Sequence, residues 1–565
     1  MVGAGKKGVG MIAQKDWGIA MALAWCVAGF ATAAQPLPLP PGTREAVRRI
    51  DRPTLEAPIR VLASDLLEGR APSHRGDEMA EVYLASMLEF LRLQPGAPGR
   101  SWQQRFEIVG VDSHTPDTWT FVAGAKRLEL RHTDEFIAVS GWQRPQAAIN
   151  DAELVFVGYG IQAPEFRWDD FKGADLKGKV LVMMNDDPEW DPSMFSGKRR
   201  TYYGRWTYKY ESAARQGAVA AIIIHTTPSA AYPWAVVQNS WGGEQFDLPH
   251  EKEGSLAVRA WITEDASRRL VALGGFDLDS LVKQARSRDF KPVPLGVRTS
   301  LTIPTSISRG STANVLGLLP GSDPALKDQI VVYSAHHDHL GIGKPDARGD
   351  TIYNGAVDNA SGDAQVLAIA RAFAALPERP RRSILFALVS GEESNLLGSL
   401  YLATHPPVPI ERLVADINFD AGNIFGRTKD VAITGMGKST LDDVLIAAAS
   451  LQDRVVTDEP FPEYGSYYRS DQFSFANVGV PGLYFKSGVD YLGRPPGWGR
   501  ETQNAWLKAH YHQPSDELTP DWNFDGLIED TQLGFYAGLA VANSDQPPAW
   551  NPNDEFAHLR PPTTK

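Results

Sequence analysis

The sequence predicts an α/β protein, and three observations carry that reading. Apolar runs at 330–335, 384–389 and 413–419 have the length and β-branched content of buried strands. Each stops at acids or histidines: His336-His337-Asp338-His339, then Glu392-Glu393, then Asp420. Helical sequence separates the first two runs (Asp363 to Leu376) and the last two. In an open α/β sheet the loops at the carboxyl ends of the strands line the ligand crevice. Residues far apart in the chain should therefore converge on one cleft.

At 565 residues the chain calls for two or three domains. Its acidic balance, 68 Asp+Glu against 56 Lys+Arg, offers no basic footprint for nucleic acid. Residues 1–34 read as an export signal: Lys6, Lys7 and Lys15, an apolar run from Trp17 to Phe30, then small residues at Ala31-Thr32-Ala33-Ala34. The apolar run is short for a membrane span and prolines follow it, so no stable membrane insertion is expected after cleavage. The reading places the mature protein in the periplasm or outside the cell. Cys26 is the only cysteine and lies within this signal. Any metal site must then use His, Asp and Glu.

From residue 35 a proline-rich stretch leads to helical sequence and to the segment Leu62 to Arg70. Met79, Val82, Tyr83, Met87, Leu88 and Leu91 recur at helical spacing, and the charged residues among them read as a solvated face. This part, 35–149, is assigned to the main domain. Short strands at 154–157, 180–184 and 219–224, with a helix near 206–216, mark a change of texture near residue 150. The stretch 150–288 holds no His/acid cluster at ligand spacing and is read as an inserted, non-catalytic domain. Strands then resume at 297–303 and 314–317, and helices are expected at 441–451 and 530–543. The main domain is set at 289–545, and 546–565 is a tail.

His336 and Asp338 are two apart at a strand end, so both can face one side. Asp338 suits the carboxylate that fixes a ligand histidine's tautomer. His337 and His339 have the other parity and read as structural. Asp358 lies in a small-residue loop, 355–362, before a helix, where a carboxylate can approach cations closely or simply cap the helix. The adjacent Glu392 and Glu393 repel unless cations or a shared proton compensate. Because neighbouring side chains diverge, one can bind metal while the other serves as general base. Asp420 is a further ligand candidate. In Tyr511-His512-Gln513-Pro514-Ser515-Asp516, His512 offers a second imidazole, with His510 its competitor, and Tyr511 can donate to an oxyanion. Two histidines and three carboxylates match a pair of Zn²⁺ ions.

These motifs resemble the co-catalytic zinc aminopeptidase family, which also includes glutamate carboxypeptidases, the transferrin receptor and glutaminyl cyclases. The matching stretches are Ala335 to Gly341, Asp358 to Gly362, Gly391 to Glu393, Asn418 to Asp420 and Tyr511 to Asp516. The resemblance implies a mixed, mostly parallel sheet sandwiched by helices, with a β-rich protease-associated domain inserted at 150–288. It implies two zinc ions, one on His336, Asp358 and Asp420, the other on Asp358, Glu393 and His512. Glu392 becomes the general base, Asp338 the orienter of His336, Tyr511 the oxyanion donor, and a metal-bridging hydroxide the nucleophile. Arg469 resembles a substrate-side residue, although a surface ion pair is as good a reading. Peptides are the implied substrates, cut from the amino terminus. A carboxypeptidase, an amidohydrolase and a non-catalytic binding protein are the alternatives. The long stretch 342–354 is expected to reshape the rim, and Asn395 stands where the family commonly has glycine. Oligomeric state and side-chain preference are not readable.

Overall fold

The computed structural model describes residues 37–191, 194–249, 255–552 and 554–560, so the export-signal reading at 1–34 falls outside it. Among the described residues no helix is long and apolar enough to cross a membrane. The fold is α/β, with a mixed sheet at its centre. Ile330–His336 lies parallel between Ser383–Val389 and Leu413–Asn418, and Leu413–Asn418 runs parallel to Gly482–Ser487. Asp430–Thr434 closes antiparallel on Gly482–Ser487 and carries Val455–Asp458 at the edge.

Every residue of the three central strands is buried, which is why they read as unbroken apolar runs rather than alternating ones. Ser361–Ala374 and Phe524–Asn543 cover one face, with Tyr333 and Phe373 in the shared core. Leu402 and Phe475, from Leu397–Thr404 and Gln472–Ala476, pack on Val332 and Leu385 from the other side. Truncating a fully buried strand residue such as Leu388 to Ala would cost about 2–5 kcal/mol.

A second sheet lies largely within the stretch read as an insert. Val180–Met184, Ala220–His225 and Val258–Thr263 are its parallel centre, flanked by Gln146–Phe156 and Phe136–Ser140. Thr118–Ala123 and Lys126–Arg131 extend it, so it begins well before residue 150. This sheet has apolar clusters of its own, drawn from residues 119–303. The two strands expected at 297–303 and 314–317 are one continuous strand, Val293–Leu319, which joins both sheets. The polar middle of that strand hid its continuity. It remains extended because Gln103–Ser113 pairs with it from Thr305 to Val315.

Candidate metal centre

The three parallel strands end together, and their last residues meet as the ordering of a parallel sheet requires. His336 ends the first strand, Glu392 and Glu393 follow the second, and Asp420 follows the third. Asp358 arrives from the loop before Ser361–Ala374, and His512 from the turn after Trp498–His510. The Asp358 loop needs Gly355: its φ is +57°, and a Cβ there would lie 2.6 Å from the His339 ring.

The geometry centres on Asp358. Its Oδ1 is 3.3 Å from His336 Nε2 and its Oδ2 is 3.3 Å from His512 Nε2. Asp420 Oδ1 lies 3.8 Å and Glu392 Oε2 3.9 Å from His336 Nε2. Glu393 Oε2 is 3.0 Å from His512 Nε2. Both Nε2 atoms are buried and make no hydrogen bond. Ligand atoms held about 2.0–2.2 Å from one zinc lie roughly 3.3–3.6 Å apart along the edges of a tetrahedron. The unpartnered nitrogens and this spacing therefore fit divalent metal.

Electrostatics point the same way. Burial lowers the affinity of both imidazoles for a proton, yet the surrounding carboxylates hold His336 well above its ordinary value and His512 at about 10. A pocket whose acids draw protons onto both histidines is short of positive charge. The paired glutamates separate. Burial lifts Glu392 well above the carboxylate range; His336 opposes that, and Glu393, Asp420 and Asp471 reinforce it. Burial acts upward on Glu393 too, but the charges of His512 and His339 outweigh it and bring Glu393 to about 2.

Two aspartates clamp the backbone beneath these groups. The Asp338 carboxylate accepts from the N–H of Glu392 (3.1 Å) and of Glu393 (3.2 Å). Asp516 accepts from the N–H of Val357 (2.9 Å) and of Asp358 (3.0 Å). Asp338 is therefore tied chiefly to the paired glutamates. Its carboxylate is 3.7 Å from His336 Nδ1, while its own main-chain oxygen is nearer, at 3.3 Å.

Several residues stand elsewhere than the sequence suggests. His339 Nδ1 lies 2.7 Å from Glu393 Oε1, inside the site. The parity argument missed it because the strand ends at His336, so alternation no longer governs the residues beyond. His337 turns away to Asp77 (3.1 Å), and His510 bonds Ser515 Oγ (2.9 Å) and stacks on Trp506. The charged residues near 70–81 are not all a solvated face. Arg70 and Asp77 are buried, and Arg70 donates to the carbonyls of His337, Asn354 and Gly355 behind the centre. Asn395 has φ +72°, a left-handed conformation that asparagine tolerates where the family has glycine. Among the described residues none of 342–354 lines the cavity over the site. That stretch folds back instead as a small hairpin, with Gly341–Ile342 pairing Ile352–Tyr353.

That cavity, about 480 Å³, has Asp358, Glu392 and Asp420 at its base. Arg469 and Tyr511 line it together, and Tyr511 stacks on His512 at 3.9 Å between centroids. Arg469 packs over the Tyr232 ring (5.5 Å) and makes no ion pair among the described residues. Tyr232, Pro233 and Val236 of the insert also line the cavity. The stretch read as an insert thus forms a wall of the site, as the family resemblance suggests.

Known proteins resemble this chain in sequence and fold. Residues 314–536 match the model of Peptidase family M28. A rat (Rattus norvegicus) protein named Aminopeptidase NAALADL1 is 32% identical over 453 residues, covering 69% of this chain and 55% of that protein. A Pyricularia oryzae protein named as a probable zinc metalloprotease is 33% identical over 151 residues, 26% of this chain and 25% of its own. The chain thus spans about half the length, or less, of these relatives. Among solved structures, an aminopeptidase from Aneurinibacillus sp. strain AM-1 superposes with a TM-score of 0.51 at 19% identity, over 88% of this chain and 95% of its own, and shares the fold. The match to Peptidase family M28 thus falls on residues 314–536, the sheet body that carries the centre.

Proposed function

We propose that the protein is an exported, zinc-dependent aminopeptidase that removes amino-terminal residues from peptides. The observation that carries the reading is Asp358, whose two oxygens face two different unpartnered imidazoles at equal distance. Asp358 would bridge two zinc ions, one completed by His336 and Asp420, the other by Glu393 and His512. Distances alone also allow the triads His336–Glu392–Asp420 and His339–Asp358–Glu393. We favour His512 over His339 because its Nε2 stands 3.0 and 3.3 Å from Glu393 and Asp358, whereas His339 comes within ion-pair distance of Glu393 alone among the described residues. Glu392 is assigned as the proton carrier rather than a ligand, the role the family resemblance gives it, and Asp358 stands nearer His336 Nε2 than it does, at 3.3 against 3.9 Å.

When bound, the metals would activate a water and polarise the scissile carbonyl. The chain's own groups do the rest. Glu392 takes the proton released by the attacking water and returns it to the leaving amine, a role matched to a carboxyl held above its ordinary range. Glu393 stays ionised beside it. Asp338 fixes both through their backbone N–H groups. Tyr511 lies on the cavity wall with Arg469, which supports a role as donor to the developing oxyanion. The aminopeptidase name of the rat relative and the acids at the cavity base both favour a substrate ammonium group there. Holding that group would set the first carbonyl at the reacting centre.

The test is a matched pair of peptides. Acetylating the amino terminus of a good substrate should nearly abolish cleavage, while amidating its carboxyl terminus should matter little. The reverse pattern would make the protein a carboxypeptidase.

A further inference from the structure

The two imidazoles of the centre are supported differently. His336 presents Nδ1 to Asp338 within the sheet body. The Nδ1 of His512 instead lies 3.1 Å from Ser240 Oγ, a residue of the insert, 272 positions away in the chain. His512 is 7% exposed, and its other nitrogen, Nε2, faces Asp358 and Glu393 without a hydrogen bond.

Ser240 ends the short helix Trp234–Ser240, the element whose Val236 lines the cavity. That helix is held from the insert side: Trp234 Nε1 and Gln238 Nε2 both donate to the Thr133 carbonyl, at 2.8 and 2.9 Å. Gln245 Nε2 donates to the Ser240 carbonyl at 3.1 Å. The hydroxyl therefore stands on a tethered element rather than on a free loop.

From this juxtaposition we propose that Ser240 is a positioning residue of the metal centre, contributed by the insert. Its hydroxyl accepts from Nδ1–H of His512 and so presents Nε2, with its lone pair, to the metal side. A ligand histidine commonly gives its second N–H to an acceptor, which sets both tautomer and ring orientation. A serine does this without adding negative charge to a pocket that already holds Asp358, Glu392, Glu393 and Asp420. The consequence is that the insert is part of the centre and takes a share in metal retention. Closing the cavity and completing the His512 side become one structural event.

The inference rests on the two-zinc reading above, and the experiment separates the two. Zinc is titrated against a chromophoric chelator for the full chain and for S240T and S240V, which have nearly the same shape and differ in the hydroxyl. The full chain should show two stepwise constants, and a single site would overturn the two-zinc reading and this inference with it. S240T should keep both constants. S240V should weaken one of them roughly 10–100-fold and leave the other within about threefold. Two wild-type constants in S240V would overturn the role of Ser240 while leaving the two-zinc reading intact. A loss of thermal stability in S240V with unchanged zinc constants would likewise assign the hydroxyl to packing alone.

Discussion

The floor and the wall of this cavity are built on opposite plans. The floor is set by buried strand ends, and two of its stretches are each pinned by a carboxylate accepting two consecutive backbone N–H groups. Asp338 does this for Glu392 and Glu393, and Asp516 for Val357 and Asp358. Among the described residues, the wall contributed by this stretch reaches His512 through the Ser240 hydroxyl and lines the cavity with Thr227, Ala231, Tyr232, Pro233 and Val236. It is tied down at its periphery. Arg199 pairs with Asp458 and Glu459, and the Arg200 N–H bonds the Pro462 carbonyl at 3.0 Å. Tyr202 packs on Phe473. The contrast shows a division of labour: the floor concentrates charge and holds it rigid, and the wall adjusts orientation and access.

The strongest test of that division lies between the two adjacent glutamates of the floor. Glu392→Gln keeps the shape and removes the proton carrier, so turnover should fall roughly 10²–10⁴-fold with zinc content retained. Glu393→Gln should instead lower zinc content. If the E392Q protein lost zinc and the E393Q protein kept it, the two roles would be exchanged.

A second test addresses the clamps. Asp516→Asn is isosteric, but its amide places a donor against one of two backbone donors at Val357 and Asp358. Zinc affinity should drop by about 10–100-fold, as expected when a group orienting a ligand is altered. Unchanged affinity would mean that the loop holds Asp358 in place without Asp516.

The charge shortage of the floor makes a pH prediction. In the metal-free protein His512 keeps its proton up to about pH 10, because burial, which favours the neutral ring, is outweighed by Glu393 and Asp358. Zinc needs the neutral imidazole, so binding at pH 7 must displace protons into the buffer. Affinity should therefore rise with pH across the range below 10, by up to about tenfold per unit for each proton displaced. Calorimetry in buffers of different ionisation enthalpy reads the proton count directly. A count of zero would contradict the electrostatic picture of the floor.

The smallest effect is expected at the edge of the wall. Arg199→Ala removes a partly exposed pair with Asp458 and Glu459, beside the cavity-lining Pro460 and Phe461. The exposed Asp458 half contributes at most about 1 kcal/mol, and buried Glu459, held up to about 7 by burial, can take a proton once Arg199 is gone, so KM should rise less than about fivefold with kcat nearly constant. A collapse of kcat would show that the wall is more deeply coupled to the chemistry than its few contacts suggest.

The sequence by itself determined the floor. Three apolar runs ending in acids or histidines require only that parallel strands finish at the same edge, and this is a property of the sheet rather than of any one contact. Placing Asp358, His512 and Tyr511 also needed their motifs, since loops and turns carry no periodicity. The tertiary structure decided everything that depends on a chain leaving regular geometry. His339 returns to the site only because alternation stops where the strand stops. Arg70 and Asp77 look like surface charges until the segment around them folds behind the centre, where carbonyls and His337 satisfy them. Val293–Leu319 is one strand because its polar middle finds a partner distant in sequence. Ser240 carries no local signal at all: a lone serine at a helix end acquires meaning only through what folding brings to 3.1 Å of its hydroxyl. Local patterns encode which face of an element is buried, while contacts between distant segments are set by packing that no short stretch of sequence contains.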